Sequence, residues 1–177
     1  MGSPEPSGLE AGARSFAASW QRVVTDPRAF FAEMPEAGGL RDPAVFLAAC
    51  AAIEGVGHGL VTLSVSAGLC AAVGRFAAAV VLAGLLVLVA QHLLDGHAGF
   101  EPTFRAVAYA AAPVVFAWVP RLGVLALVWA GYLTVRGVER VQRFDGPRAA
   151  LGVLIAVAVL AAVAVALAGG PLPPGLR

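Results

Sequence analysis

Glu54 and His58 lie one helical turn apart within an apolar run, so their side chains share a face. A carboxylate beside an imidazole in low dielectric could relay a proton, coordinate an ion or gate a path. The plainer alternative is a structural pair, either hydrated or bonded to a neighbouring helix. Gly55, Gly57 and Gly59 interleave with the pair, which suits either close helix packing or a helix broken around a cavity. Glu101 and Arg105 form a second group, spaced i, i+4 with the acid on the N-terminal side, the favourable order near a helix start. That pair is either a clasp at the membrane surface or, with Thr103 and Tyr109, the lining of a polar funnel suited to lipid headgroups. Glu54, His58, Arg105 and Tyr109 are thus the candidate intramembrane polar site.

Other chemistries find less support. His58, His92 and His97 are the only histidines, and zinc would require the first two to meet. Their positions in successive spans separate them by roughly half of a ~30 Å hydrocarbon core. Cys50 and Cys70 fall at opposite depths of two spans, which disfavours a disulfide or a metal pair; both read as small buried hydrophobes. With no metal motif, activated nucleophile or paired acids in reach, no cofactor and no enzymatic activity are expected.

The elements that position these groups are membrane helices. The chain is 59% apolar and 13% charged, with a mean hydropathy of +0.83, more apolar than one soluble core requires. Spans are expected near 44–63, 69–94, 102–119, 122–138 and 149–168, giving an all-α, five-span polytopic bundle over 42–169. The polar Thr62, Ser64 and Ser66 and the charge of Arg75 mark the turn between the first two. The third span carries Pro113 inside and Pro120 at its end, tolerable where neighbouring helices satisfy a freed carbonyl.

The first 43 residues differ in composition. Residues 1–13 read as disordered, and 14–41 as interfacial amphipathic helices. Phe16 and Trp20 share one helical face with Val23 and Val24. Asp26-Pro27 is an N-cap followed by proline at the first helical position, opening a short helix that carries Phe30 and Phe31. Phe16, Trp20, Phe30 and Phe31 are the expected lipid anchors, and Asp42-Pro43 repeats the start signal for the first span. No apolar signal-peptide core precedes that span, so it is expected to act as its own insertion signal.

All twelve basic residues are arginine, which with abundant Ala, Gly and Val reads as GC-rich coding. A cytoplasmic N-terminus places most of them inside, leaving Arg75, Arg121 and Arg177 outside, with 170–177 as an external tail. Arg136, Arg140 and Arg143 form a basic collar at the inner end of the fourth helix, facing anionic lipid or a partner. Trp118, Trp129 and Tyr132 serve as interfacial or packing aromatics. A net charge of +1 gives no case for nucleic-acid binding.

Three stretches carry a family likeness: Trp20-Gln-Arg-Val-Val-Thr-Asp-Pro-Arg-Ala-Phe-Phe-Ala-Glu-Met34, Asp42-Pro43, and Phe100-Glu-Pro-Thr-Phe-Arg-Ala-Val-Ala-Tyr109 with Pro113 and Pro120. The chain resembles a bacterial member of the Yip-one family, the Ypt/Rab-interacting protein domain. The resemblance implies five membrane helices with a cytoplasmic N-terminus and marks Pro43, Tyr109, Pro113 and Pro120 as family-like structural positions. Eukaryotic relatives are associated with Rab-type GTPases, vesicle traffic and membrane shaping. No Rab-binding site is carried over to this chain.

The expectation is a non-enzymatic integral protein of the cell membrane, in contact with the lipid bilayer, that organises membrane or scaffolds a membrane-protein partner or a second copy. The alternative is a small transporter, channel or lipid-translocating protein whose polar path runs past Glu54, His58, Arg105 and Tyr109.

Overall fold

The computed structural model describes residues 8–167 and Gly169, with side chains described from residue 12. Seven α-helices form in these residues: α1 (Gly8–Thr25), α2 (Pro27–Glu33), α3 (Arg41–Thr62), α4 (Val65–Leu93), α5 (Phe100–Ala110), α6 (Leu122–Gln142) and α7 (Gly146–Leu167). A 3-10 helix, Ala112–Phe116, follows α5. Four of them, α3, α4, α6 and α7, are long and apolar enough to cross a membrane.

The third expected span, 102–119, is not one continuous helix. Pro113 has no N–H for the next helical bond, and α5 ends at Ala110, where the chain tightens into the 3-10 helix. This broken segment still rises beside α3. Glu101 meets the linker at Gly38 and Gly39, Tyr109 meets Phe46, and Trp118 lies over Gly57. From Arg41 to Gly57 along α3 is about 24 Å at 1.5 Å per residue, most of the ~30 Å thickness of a hydrocarbon core. α6 returns antiparallel: Gly123 packs on Ala117, while Gln142 reaches Thr103 at the other end. Below, "near end" denotes the end with the α2–α3 linker and "far end" the end with the α3–α4 turn.

Helix boundaries follow local chemistry. Asp26 caps α2, accepting from the Ala29 N–H at 3.3 Å with proline in the first turn, as its sequence requires. Asp42 does not cap α3, which starts one residue earlier after Leu40 and has no side-chain cap. The α3–α4 turn is tighter than expected, because Leu63 adopts a left-handed conformation and Ser64 caps α4 through the Ala67 N–H. Arg75 therefore falls well inside α4 rather than in the turn. α1 begins at Gly8, within the stretch expected to be disordered; residues 1–7 and 170–177, which include the expected external tail, lie outside the described residues.

Helices α3 and α4 approach closely through glycine. A Cβ at Gly55 would sit 2.6 Å from the Gly68 carbonyl oxygen, and one at Gly68 would sit 2.6 Å from the Gly55 carbonyl oxygen. Small residues of this kind let helix backbones meet in a bilayer. Gly68→Ala is expected to force the helices apart and cost about 1–3 kcal/mol, read as a lower unfolding midpoint in detergent, whereas Gly74→Ala, in open space, is expected to leave it unchanged.

Candidate functional site

The four residues expected to share a polar path occupy different places. Glu54 is buried on α3, but its partner is Arg75 of α4, not His58. Arg75 Nη2 and Nε donate to Glu54 Oε1 and Oε2 at 2.6 and 2.7 Å, a bidentate fork. The Gly55–Gly68 contact brings α4 within reach of Glu54, and the His58 imidazole stays exposed.

Arg105 lies near the start of α5, and about 20 Å of α3 separates the Arg41 end from Glu54. It is buried, at 4% exposure, and its Nη2 donates to the Gly39 carbonyl at 2.8 Å and to Glu101 at 3.4 Å. Glu101 Oε1 in turn accepts the Gly38 and Gly39 N–H groups at 2.9 and 2.7 Å. The acid and base thus grip a two-glycine linker from both sides. Gly38 and Gly39 have φ values of +142° and +84°, a conformation suited to glycine. The Gly39 N–H, with the Gly38 N–H and Arg105 adding to it, holds the Glu101 carboxyl below the usual glutamate range against the opposing effect of desolvation. Arg105 Nε is buried without a hydrogen-bond partner among the described residues.

Tyr109 is half-buried between Phe30 and Phe46, with both ring centroids 5.0 Å away. It is part of an aromatic layer that receives the N-terminal helices. The residues expected to anchor in lipid face the bundle instead. Phe31 is buried against Gly137 and Ala106, and Phe16 packs on Phe46 at 5.1 Å. Trp20 Nε1 donates to the Ala112 carbonyl at 2.7 Å and its ring meets Phe116. Pro43 is buried in the first turn of α3 and Pro113 in the 3-10 helix. Pro120 leads into the turn before α6, where the Leu122 N–H returns to its carbonyl at 2.8 Å.

Sequence reasoning misses two positions. Arg75 reads as marking a turn, although an arginine inside an apolar run, level with an acid on its neighbour, is the available signal. Gln142 is buried and ties the α4–α5 loop to α6, accepting the Ala98 N–H at 3.0 Å and reaching Thr103 Oγ1 at 3.3 Å; nothing in its arginine-rich surroundings marked it. Trp118 closes over Gly57, which has no room for a Cβ. Of the two cysteines, Cys50 is buried but Cys70 is exposed, contrary to expectation. Among the described residues no three His, Cys, Asp or Glu side chains gather in a metal-holding group.

Helix α2, the Asp42-Pro43 start and the proline-broken segment stand within one stretch, residues 22–168, that matches a family model, the Yip1 domain. The chain belongs to the Yip1 family. No curated protein and no solved structure matches it. The family assignment and four apolar helices make it a multi-pass membrane protein. In this Yip1 domain the two acid–base pairs each join a different part of the matched region, Glu54–Arg75 within the bundle and Glu101–Arg105 between the bundle and the linker before α3.

The pairs yield separate expectations. Arg75→Leu leaves Glu54 buried without a counter-ion and should cost about 3 kcal/mol, whereas the double substitution Glu54→Leu with Arg75→Leu should recover most of it; unfolding midpoints of the single and double variants in detergent measure the difference. For Glu101, a depressed carboxyl pKa means that its stabilisation is fully present above the usual glutamate range and is lost as pH falls through the depressed value. Glu101→Gln should therefore raise hydrogen exchange in the 36–40 linker at neutral pH, while the wild-type linker should stay protected down to about pH 5 once intrinsic rates are corrected.

Proposed function

We propose that this Yip1-domain protein is a non-enzymatic organiser of the membrane that holds its N-terminal helices as a docked arm and offers lipid-facing helix surfaces to a partner membrane protein or a second copy. The observation that carries this reading is the closure of Glu54. Its carboxylate is occupied by both prongs of the Arg75 guanidinium, while His58 is exposed and Arg105 and Tyr109 are committed to the linker and the aromatic layer. A transport path would need these groups to share one cavity; three are instead engaged in separate local contacts and His58 stands exposed.

The same reading takes the α5 and 3-10 segment as a fifth, broken crossing, supported by its parallel rise along α3 and by the antiparallel return of α6. With the arginine-rich near end in the cytoplasm, the N-terminal arm lies inside and the C-terminus outside, in the plasma membrane of a bacterium. The outward apolar residues of α3, α6 and α7, including Val56, Val128 and Leu154, supply surface for helix association.

Purified protein in liposomes is expected to give no ion flux and no lipid scrambling above empty liposomes, with wild type and Glu54→Gln alike. Flux that depends on Glu54 would overturn the organiser reading in favour of a transporter or lipid translocator. A reporter fused at the C-terminus is expected to be active only in its external form, and a cytoplasmic result would remove the fifth crossing.

A further inference from the structure

Four helix ends converge at the near end of the bundle: the C-termini of α4 and α6 and the N-termini of α5 and α7. Between them lies a cavity of about 580 Å³ lined by Glu36, Asp95, His97, Arg143, Phe144 and Arg148, among others. None of these residues belongs to the polar site expected from sequence. The charged lining is balanced in sign, two carboxylates against two guanidiniums, which distinguishes it from a plain basic collar.

Glu36 accepts from Arg140 Nη1 at 3.3 Å, whereas the other charges are loosely held. Arg143 stands 4.0 Å from Glu36 and Arg148 stands 3.9 Å from Asp145, both at the outer limit of an ion pair. Asp95 makes no ion pair or side-chain hydrogen bond among the described residues. The walls, by contrast, are tightly built. A Cβ on Gly96 would lie 2.6 Å from Gln142 Oε1 and 2.9 Å from the Phe144 ring, so the α4–α5 loop is pressed onto the end of α6.

The backbone adds an independent observation. Helices α4 and α6 each end in a left-handed residue of the kind usually supplied by glycine. Here the residues are Asp95 and Arg143, each with φ of +56°, and the hydrogen bonds that close these ends are Gly96 N–H to Ala90 O and Phe144 N–H to Glu139 O. A non-glycine side chain in that conformation is disfavoured by sterics. Leu63 and Arg121 also hold positive φ among the described residues; what sets Asp95 and Arg143 apart is that they carry opposite charges and line the same cavity.

We infer that this cavity binds a phosphoethanolamine group, with Arg143 and Arg148 on the phosphate and Asp95 and the Phe144 ring around the ammonium. Arg148 stands in the first turn of α7, where the helix dipole also favours an anion. An aromatic face beside a carboxylate suits a primary ammonium. The cavity sits at the ends of membrane helices, at headgroup depth, so the group comes from a phosphatidylethanolamine lipid or from a soluble glycerophosphoethanolamine.

The test uses the full chain in detergent, titrated with short-chain phosphatidylethanolamine, short-chain phosphatidylglycerol and soluble glycerophosphoethanolamine, with calorimetry as the readout. Phosphatidylethanolamine is expected to bind about tenfold more tightly than phosphatidylglycerol. Asp95→Asn tolerates the left-handed backbone while removing the charge, and Arg143→Gly relieves the strain while removing the guanidinium. Both variants should melt at or above the wild-type temperature and still lose about tenfold in phosphatidylethanolamine affinity. Equal binding of glycerophosphoethanolamine would support the site with a soluble ligand, and binding of the lipid alone would support it with a lipid ligand. Absence of binding, equal affinity for phosphatidylglycerol, or unchanged affinity in both variants would overturn the inference.

Discussion

The bundle depends on how a proline-broken segment satisfies its backbone. Within hydrocarbon each unpaired carbonyl or amide is costly, because no water is present to replace the lost bond. Pro113 ends regular α-helix in the segment after α5, and the 3-10 helix tightens the chain with bonds such as Val114 N–H to Ala111 O. The Ala112 carbonyl also accepts the Trp20 indole N–H at 2.7 Å, which ties α1 to this segment. Phe16, Phe30 and Phe31 follow because the same docking brings them onto Phe46, Tyr109 and Gly137.

Two acid–base pairs then fix what the broken segment leaves free. Glu54 and Arg75 lock α3 to α4 at a level where glycines have already brought the backbones together, so a salt bridge that might be lost to desolvation gains two short charge-assisted bonds. Glu101 and Arg105 hold the Gly38–Gly39 linker, which sets where the arm leaves α2 and where α3 begins. The first pair acts within the bundle and the second between bundle and arm, which is why they do not combine into one polar path.

Much of the helical content was legible in the sequence. Hydropathy located the four long apolar helices to within a few residues, and Asp26-Pro27 marked the start of α2 through cap chemistry that is local and therefore readable. Pro113 signalled a disturbance in the third segment, although a kink and a break have the same sequence signature and only neighbouring packing chooses between them. The partners of Glu54 and Trp20 were not legible, because both are contacts between segments. The i, i+4 spacing of Glu54 and His58 is visible along one helix, whereas the alignment of Arg75 with Glu54 depends on a turn whose tightness comes from a left-handed Leu63. The apolar face of α1 likewise fits lipid and protein equally well along the sequence, and its contacts with Ala112 and Phe46 lie between segments far apart in the chain.

The central claim is that the arm is a docked part of the bundle, and an electron-resonance distance measurement in lipid nanodiscs tests it most directly. Spin labels at Ala18→Cys on α1 and Val128→Cys on α6, with Cys50 and Cys70 replaced by serine, report their separation in the full chain. Docking through Trp20 and the Gly38–Gly39 linker predicts one narrow distance distribution that broadens when Trp20 is changed to alanine. A broad distribution in the protein that retains Trp20, unchanged by Trp20→Ala, would contradict the account.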